Sequence, residues 1–157
     1  MALHGFLQGY RGYADTQALG NALRALQEEG LDQLPLPGSG QTLSRLSQLA
    51  QVAGHDLRLC KLFEGHTDAL AIIAELDSPL PPLGSTWGMW AAEPPTAKVR
   101  VRRDGQRLLV EGRKAWCSGA AVVSHGLLTA WDEEDRQQLV AVAMDQPGIT
   151  GTDEGWK

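Results

Sequence analysis

The chain has 157 residues, room for one ordinary domain or two small ones. Its 43% hydrophobic and 21% charged residues match globular proteins and exclude disorder as the dominant state. A formal net charge of -5 favours solubility and argues against nucleic acid or an anionic membrane as the main partner.

The first half carries helical periodicity. From Thr16 to Glu29, Leu19, Leu23 and Leu26 share one face, with Asp15 placed to cap the start and Gly30 to end it. The run Leu34-Pro35-Leu36-Pro37-Gly38-Ser39-Gly40 cannot continue a helix, because proline lacks a donor and glycine is costly there. Thr42 can cap a second helix with Leu43, Leu46, Leu49 and Ala53 as its apolar stripe. Asp56 can cap a third, reaching about Leu76, with Leu59, Leu62, Phe63, Leu70 and Ile73 on one side. His66 falls on that stripe and reads as a hydrogen-bonded interior histidine rather than a metal ligand.

The stretch from Asp77 to Gly84 holds three of the eight prolines and marks a boundary between a helical domain, 1–84, and a β-domain, 85–157. Beyond it the period becomes two. Lys98-Val99-Arg100-Val101-Arg102 alternates as a half-buried strand should, Asp104-Gly105 marks a hairpin turn, and Leu108 and Val110 mark the returning strand. Residues 122–131 and 138–144 read as two further strands around a polar turn at 132–135. Helices first and strands afterwards predict an α+β fold with an antiparallel β-domain, and strands without a closing partner predict an incomplete, barrel-like one.

The two cysteines, Cys60 and Cys117, form no CxxC motif and read as reduced thiols; Cys117 reads as a small buried hydrophobe. No secretory signal is recognisable, and the longest mostly apolar run, from Ala69 to Ala74, is far below the roughly 20 residues that cross a bilayer. A cytoplasmic protein without membrane or metal is the expectation. Residues 98–114 hold seven of the 14 Lys and Arg, so the hairpin is expected to present a positive face. That face is open to a solvated reading, to phosphates of a cofactor, or to an adaptor role toward nucleic acid or protein.

Three stretches in register resemble the acyl-CoA dehydrogenase family. Trp87-Gly88-Met89-Trp90-Ala91-Ala92-Glu93-Pro94 is similar to a strand that ends in aromatic-x-x-Thr-Glu-Pro. Leu109-Val110-Glu111-Gly112-Arg113-Lys114-Ala115-Trp116-Cys117-Ser118-Gly119-Ala120 resembles the segment Leu-x-Gly-x-Lys-x-Trp-Ile-Thr-Asn-Gly. Residues 140–156 look like the strand, Pro-Gly turn and tryptophan that follow, with Trp156 in the last place. The resemblance implies FAD as cofactor and α,β-dehydrogenation of an acyl-CoA thioester in the full-length protein. It implies flavin contacts from Met89, Trp90, Ala91 and Ala92 on the strand, and from Trp116, Cys117 and Ser118 on the later segment. It further implies a homo-oligomer and an electron-transfer flavoprotein as acceptor.

The departures carry their own expectations. Ala92 stands where the family has threonine, which removes a side-chain donor. Pro95-Thr96-Ala97-Lys98-Val99 replaces Gly-x-Gly-Ser-Asp, and with it the serine that would contact the acyl-CoA. Glu93 reads as a positional carboxylate, not a base. In most of the family the catalytic glutamate and the tetramer interface lie in a C-terminal helical bundle that these residues do not include, so no catalytic residue is assigned and no acyl-CoA-dependent dye reduction is expected. A non-catalytic flavin- or CoA-binding relative is the alternative.

Overall fold

The computed structural model describes residues 3–10 and 12–152. Within them the helices are α1 (Leu3–Gln8), α2 (Thr16–Glu28), α3 (Thr42–His55) and α4 (Leu57–Glu75). The strands are β1 (Trp87–Trp90), β2 (Val99–Asp104), β3 (Arg107–Gly112), β4 (His125–Trp131) and β5 (Gln137–Ala143). Trp156 lies outside the described residues.

Local chemistry explains the helix ends. The Asp15 carboxylate accepts from the Ala18 amide at 2.8 Å, and Asp56 accepts from Arg58 and Leu59 at 2.7 and 3.1 Å, so both caps stand where the sequence put them. Gly30, at φ +65, closes α2: its amide reaches the Gln27 carbonyl and the Leu31 amide reaches Leu26, the double bond of a Schellman ending. Helix α1 has no counterpart in the sequence reading. It is six residues long and buries Leu3, Phe6 and Leu7.

Helix α3 departs from expectation. Thr42 is its first residue rather than its cap, and Gln41, at the cap position, makes no side-chain bond. Leu43 and Leu46 are 79% and 56% exposed, while Arg45 and Val52 are buried. Arg45 tolerates burial because it donates to Asp68 at 2.8 Å and to the Pro35 carbonyl at 3.2 Å. The face that α3 turns to the protein therefore carries Arg45 and Val52 rather than Leu43 and Leu46.

In the sheet, β4 is central. On one edge it pairs antiparallel with β5 along its whole length. On the other it pairs in parallel first with β1, from Trp87 opposite His125 to Trp90 opposite Leu128, and then with β2 at Arg100 opposite Trp131. The expected antiparallel pairing holds in the hairpins β2–β3 and β4–β5. The parallel contacts arise because β1 reaches β4 only after the β2–β3 hairpin, a crossover that alternation cannot reveal. The hairpin turn is tight, with positive φ at Gly105.

One continuous apolar core runs from Leu23, Leu59 and Phe63 of the helices to Val99, Val101, Leu128 and Val140 of the sheet. Burying a leucine or phenylalanine of this kind contributes about 1.5–3 kcal/mol. Trp90 fills a special place in it. Gly88 and Gly126 are register partners, and a Cβ on either would meet the Trp90 indole at 2.5 or 2.2 Å. The indole therefore lies flat across two glycines.

Candidate functional site

A cleft of about 440 Å³ opens between α4 and β1, in the size range of small-molecule sites. Lys61, Leu62 and Gly65 wall it from the helix, residues 87–92 from the strand, and Trp116, Ser118 and Val123 from the segment beyond the hairpin. The strand's own alternation decides which groups face it. The Thr86 carbonyl accepts from Ser124 and His125, so the even-numbered residues turn toward β4. The Trp87 amide points the other way, donating to His66 Nδ1 at 3.1 Å. Two residues on, Met89 therefore presents its main-chain N–H and C=O to the helix side of the strand, at the cleft.

His66 is fully buried, and its Nε2 lies 3.0 Å from Asp32, which is itself 3% exposed. Because Nδ1 accepts from an amide, the ring hydrogen sits on Nε2 and is donated to the carboxylate. The interior, hydrogen-bonded histidine read from the sequence is what the structure contains.

Trp116 is not a core tryptophan. It is 50% exposed, it lines the cleft, and its backbone lies at φ +59, a region that a bulky side chain rarely adopts. Such strain costs about 1–3 kcal/mol and persists where the surroundings enforce it. Here they do: the Ser118 amide donates back to the Trp116 carbonyl at 3.0 Å, and the Ser118 carbonyl accepts from the buried Trp90 indole at 3.1 Å. Ser118 lines the same cleft, and its hydroxyl has no partner among the described residues.

Lys114 and Glu93 anchor the far end. Their side chains are 5% and 10% exposed and pair at 2.9 Å. The ammonium also donates to Thr129 Oγ1 at 2.7 Å and to the Thr129 and Ala91 carbonyls at 3.1 and 3.3 Å. Glu93 takes a further bond from the Trp131 indole. Lys114 and then Trp131 hold its carboxyl below the ordinary glutamate value. The pair ties the exit of β1, strand β4 and the Trp116 segment together, so Glu93 has a positional role and is not a solvated carboxylate.

Of the seven residues assigned from sequence, Met89, Trp90, Ala91, Ala92, Trp116 and Ser118 line the cleft. They do so differently. Trp90 is 5% exposed with its indole N–H engaged, so it acts as support. Cys117 does not join them: its thiol packs against the core and donates to the Lys114 carbonyl at 3.4 Å, and burial pushes its pKa up to about 11. The helix wall, with Gly65, Lys61 and Leu62, was missed. The run from Lys61 to His66 resembles the family in character, but only tertiary packing brings α4 to the strand edge.

Other candidates resolve separately. His55 meets the Tyr13 hydroxyl at 3.1 Å, His66 meets Asp32, and Asp68 meets Arg45. Among the described residues no group of three potential metal ligands forms. No helix among them is long and apolar enough to cross a membrane. The positive face expected of residues 98–114 is reduced. Lys114 turns inward, Lys98 lies 4.4 Å over the Trp131 ring, and Arg100 pairs with Asp135.

No protein-family model matches the sequence, and no curated protein does. Two solved structures share its fold. One is a methanesulfinate monooxygenase from Pseudomonas fluorescens, 17% identical, with a TM-score of 0.64 over 94% of this chain and 43% of that one. The other is a nitrososynthase from Micromonospora carbonacea var. africana, 20% identical, with a TM-score of 0.68 over 97% of this chain and 47% of that one. The chain thus spans less than half the length of either. At these identities the likeness establishes architecture, an α+β fold of the acyl-CoA dehydrogenase type with helices followed by a β-domain.

Proposed function

We propose that this chain forms the flavin-facing part of a flavin-dependent oxidoreductase, with FAD as the cofactor. The observation that carries the reading is the pairing, across one cleft, of the strained, half-exposed Trp116 with the cleft-lining edge of β1 at Met89. The residues present fit a planar ring. An open indole face offers stacking, the Ser118 hydroxyl offers one hydrogen bond, and the strand edge offers main-chain donors and acceptors.

Flavin, when bound, supplies two-electron acceptor chemistry. The chain's own residues orient and shelter it. Trp90 holds the Ser118 carbonyl, which fixes the Trp116 turn. The Lys114–Glu93 pair fixes the end of β1 against β4. Ala92 contributes only main chain where the resembling family has a hydroxyl, a loss on the order of 1 kcal/mol.

An acyl-CoA thioester is the substrate class that the sequence resemblance implies, with a homo-oligomer and an electron-transfer flavoprotein as partners. The two neighbours broaden that choice, because one is named for methanesulfinate monooxygenation and the other as a nitrososynthase. Ala92 and the stretch from Pro95 to Lys98 favour a second reading, a flavin binder without acyl-CoA dehydrogenation. The free thiols of Cys60 and Cys117 fit a reducing compartment, and we place the protein in the cytoplasm.

A visible spectrum of the purified protein after incubation with FAD tests the proposal. Retained flavin bands after desalting are expected, and a colourless protein would contradict it. In a full-length form, bleaching of those bands by acyl-CoA under anaerobic conditions would select the dehydrogenase, and bands that persist there would select the binder; this chain alone is expected to keep its bands in either case.

A further inference from the structure

Met89 offers its amide to the cleft only because the facing helix has a gap. Gly65 lies in the interior of α4, where glycine is normally unfavourable, and no positive φ requires it. A Cβ at residue 65 would stand 3.6 Å from the Met89 nitrogen, an ordinary contact, and would meet nothing else within 4 Å. Packing therefore does not demand glycine there, and an added side chain would cover the amide without a clash. The next residue, His66, grips the same strand edge through the Trp87 amide and is itself held by Asp32.

Resting on the flavin reading, we propose that α4 controls access to the β1 edge. Gly65 is a window that leaves the Met89 N–H and C=O open to the polar edge of a planar heterocycle. Asp32 and His66 are positioning residues that hold the strand at the distance the window requires. The ligand class is a ring with an amide-type donor and acceptor in its plane, which pairs with a strand edge as another strand would. Among the described residues β1 has no sheet partner on this side, so the ligand completes hydrogen bonding that they leave open.

Two measurements on the whole chain test this. The first is native-state amide exchange by NMR, which needs no ligand. The Met89 amide is expected to exchange at least tenfold faster than those of Gly88 and Trp90, which face β4, and faster than Trp87, which is bonded to His66. Equal protection at Met89 and its even-numbered neighbours would overturn the proposal, whether or not flavin binds. The second is titration with FAD and with riboflavin, followed by flavin fluorescence. Gly65→Ala is expected to keep or raise Tm, since alanine suits a helix better, yet to weaken binding about fivefold, the value of one ordinary hydrogen bond. Gly65→Val should weaken it further.

His66→Ala is expected to release the Trp87 amide to exchange and to weaken flavin binding. His66→Asn, which places an oxygen near the former Nδ1, should restore protection at Trp87. Unchanged affinity in Gly65→Ala, with wild-type binding intact, would sink the window and leave the flavin reading standing. No binding by the wild type would count against the flavin reading, while the exchange data would still judge the strand edge.

Discussion

Lys114→Met removes the ammonium from a pair whose side chains are 5% and 10% exposed. Glu93 would keep only the Trp131 indole N–H, and the carbonyls of Ala91 and Thr129 would each lose a donor. Stranding one member of a buried pair costs about 3–5 kcal/mol. With a urea slope of about 2 kcal/mol per molar, the unfolding midpoint should fall by about 1.5–2.5 M. Equilibrium unfolding followed by tryptophan fluorescence and circular dichroism measures this. Adding Glu93→Gln removes the stranded charge and should recover much of the loss, because eliminating both charges is far less harmful than eliminating one. A shift below about 0.5 M for Lys114→Met would be that of an exposed pair, and would refute the role assigned to this anchor.

Three further outcomes follow from the same geometry. Glu93 has a folded-state pKa below the usual 4.5, so its contribution is complete above that value and is lost as pH falls through the lower folded one. Stability measured from pH 5 down to about pH 3 should therefore fall more steeply in the wild type than in Glu93→Gln; parallel profiles would contradict the shift. Gly126→Ala forces a Cβ to 2.2 Å from the Trp90 ring and should destabilise by about 1–3 kcal/mol, partly relieved by adding Trp90→Leu. Trp116→Gly relaxes a backbone at φ +59 and should leave thermal stability unchanged or higher by about 1 kcal/mol, while removing the stacking surface. A large loss of Tm in that variant would mean that Trp116 is structural.

Much of the fold could be read in the sequence because its signals are local. Asp15, Gly30 and Asp56 act within four residues of themselves, and the stripe of Leu59, Leu62 and Phe63 faces the core as its spacing requires. Where distant partners decide, no local signal marks the outcome. Arg45 is buried beside Asp68, and Leu43 and Leu46 lie outward against the expected stripe. Lys114 counted as one more cation of the hairpin until Glu93 and Thr129 drew it inside. The parallel pairing of β1 with β4 spans the intervening hairpin and leaves no mark on alternation.

The site divided in the same way. Its strand and its Trp116 segment were legible through motif resemblance, and six of their seven assigned residues line the cleft. Cys117 is implied as a flavin contact by the resemblance, yet its thiol packs against the core and bonds to the Lys114 carbonyl, as its reading as a small buried hydrophobe expects. Gly65 was not assigned to the site, since a helical glycine shows its role only once the Met89 nitrogen is known to lie beside it.

The most direct measurement is an FAD titration of the wild-type chain beside Trp116→Gly, read by quenching of flavin fluorescence and by perturbation of the visible bands. Saturable quenching with a single site in the wild type, lost or strongly weakened in a variant that remains folded, is expected of a flavin stacked on Trp116. A flavin spectrum unchanged at every protein concentration, or equal binding by both chains, would contradict it.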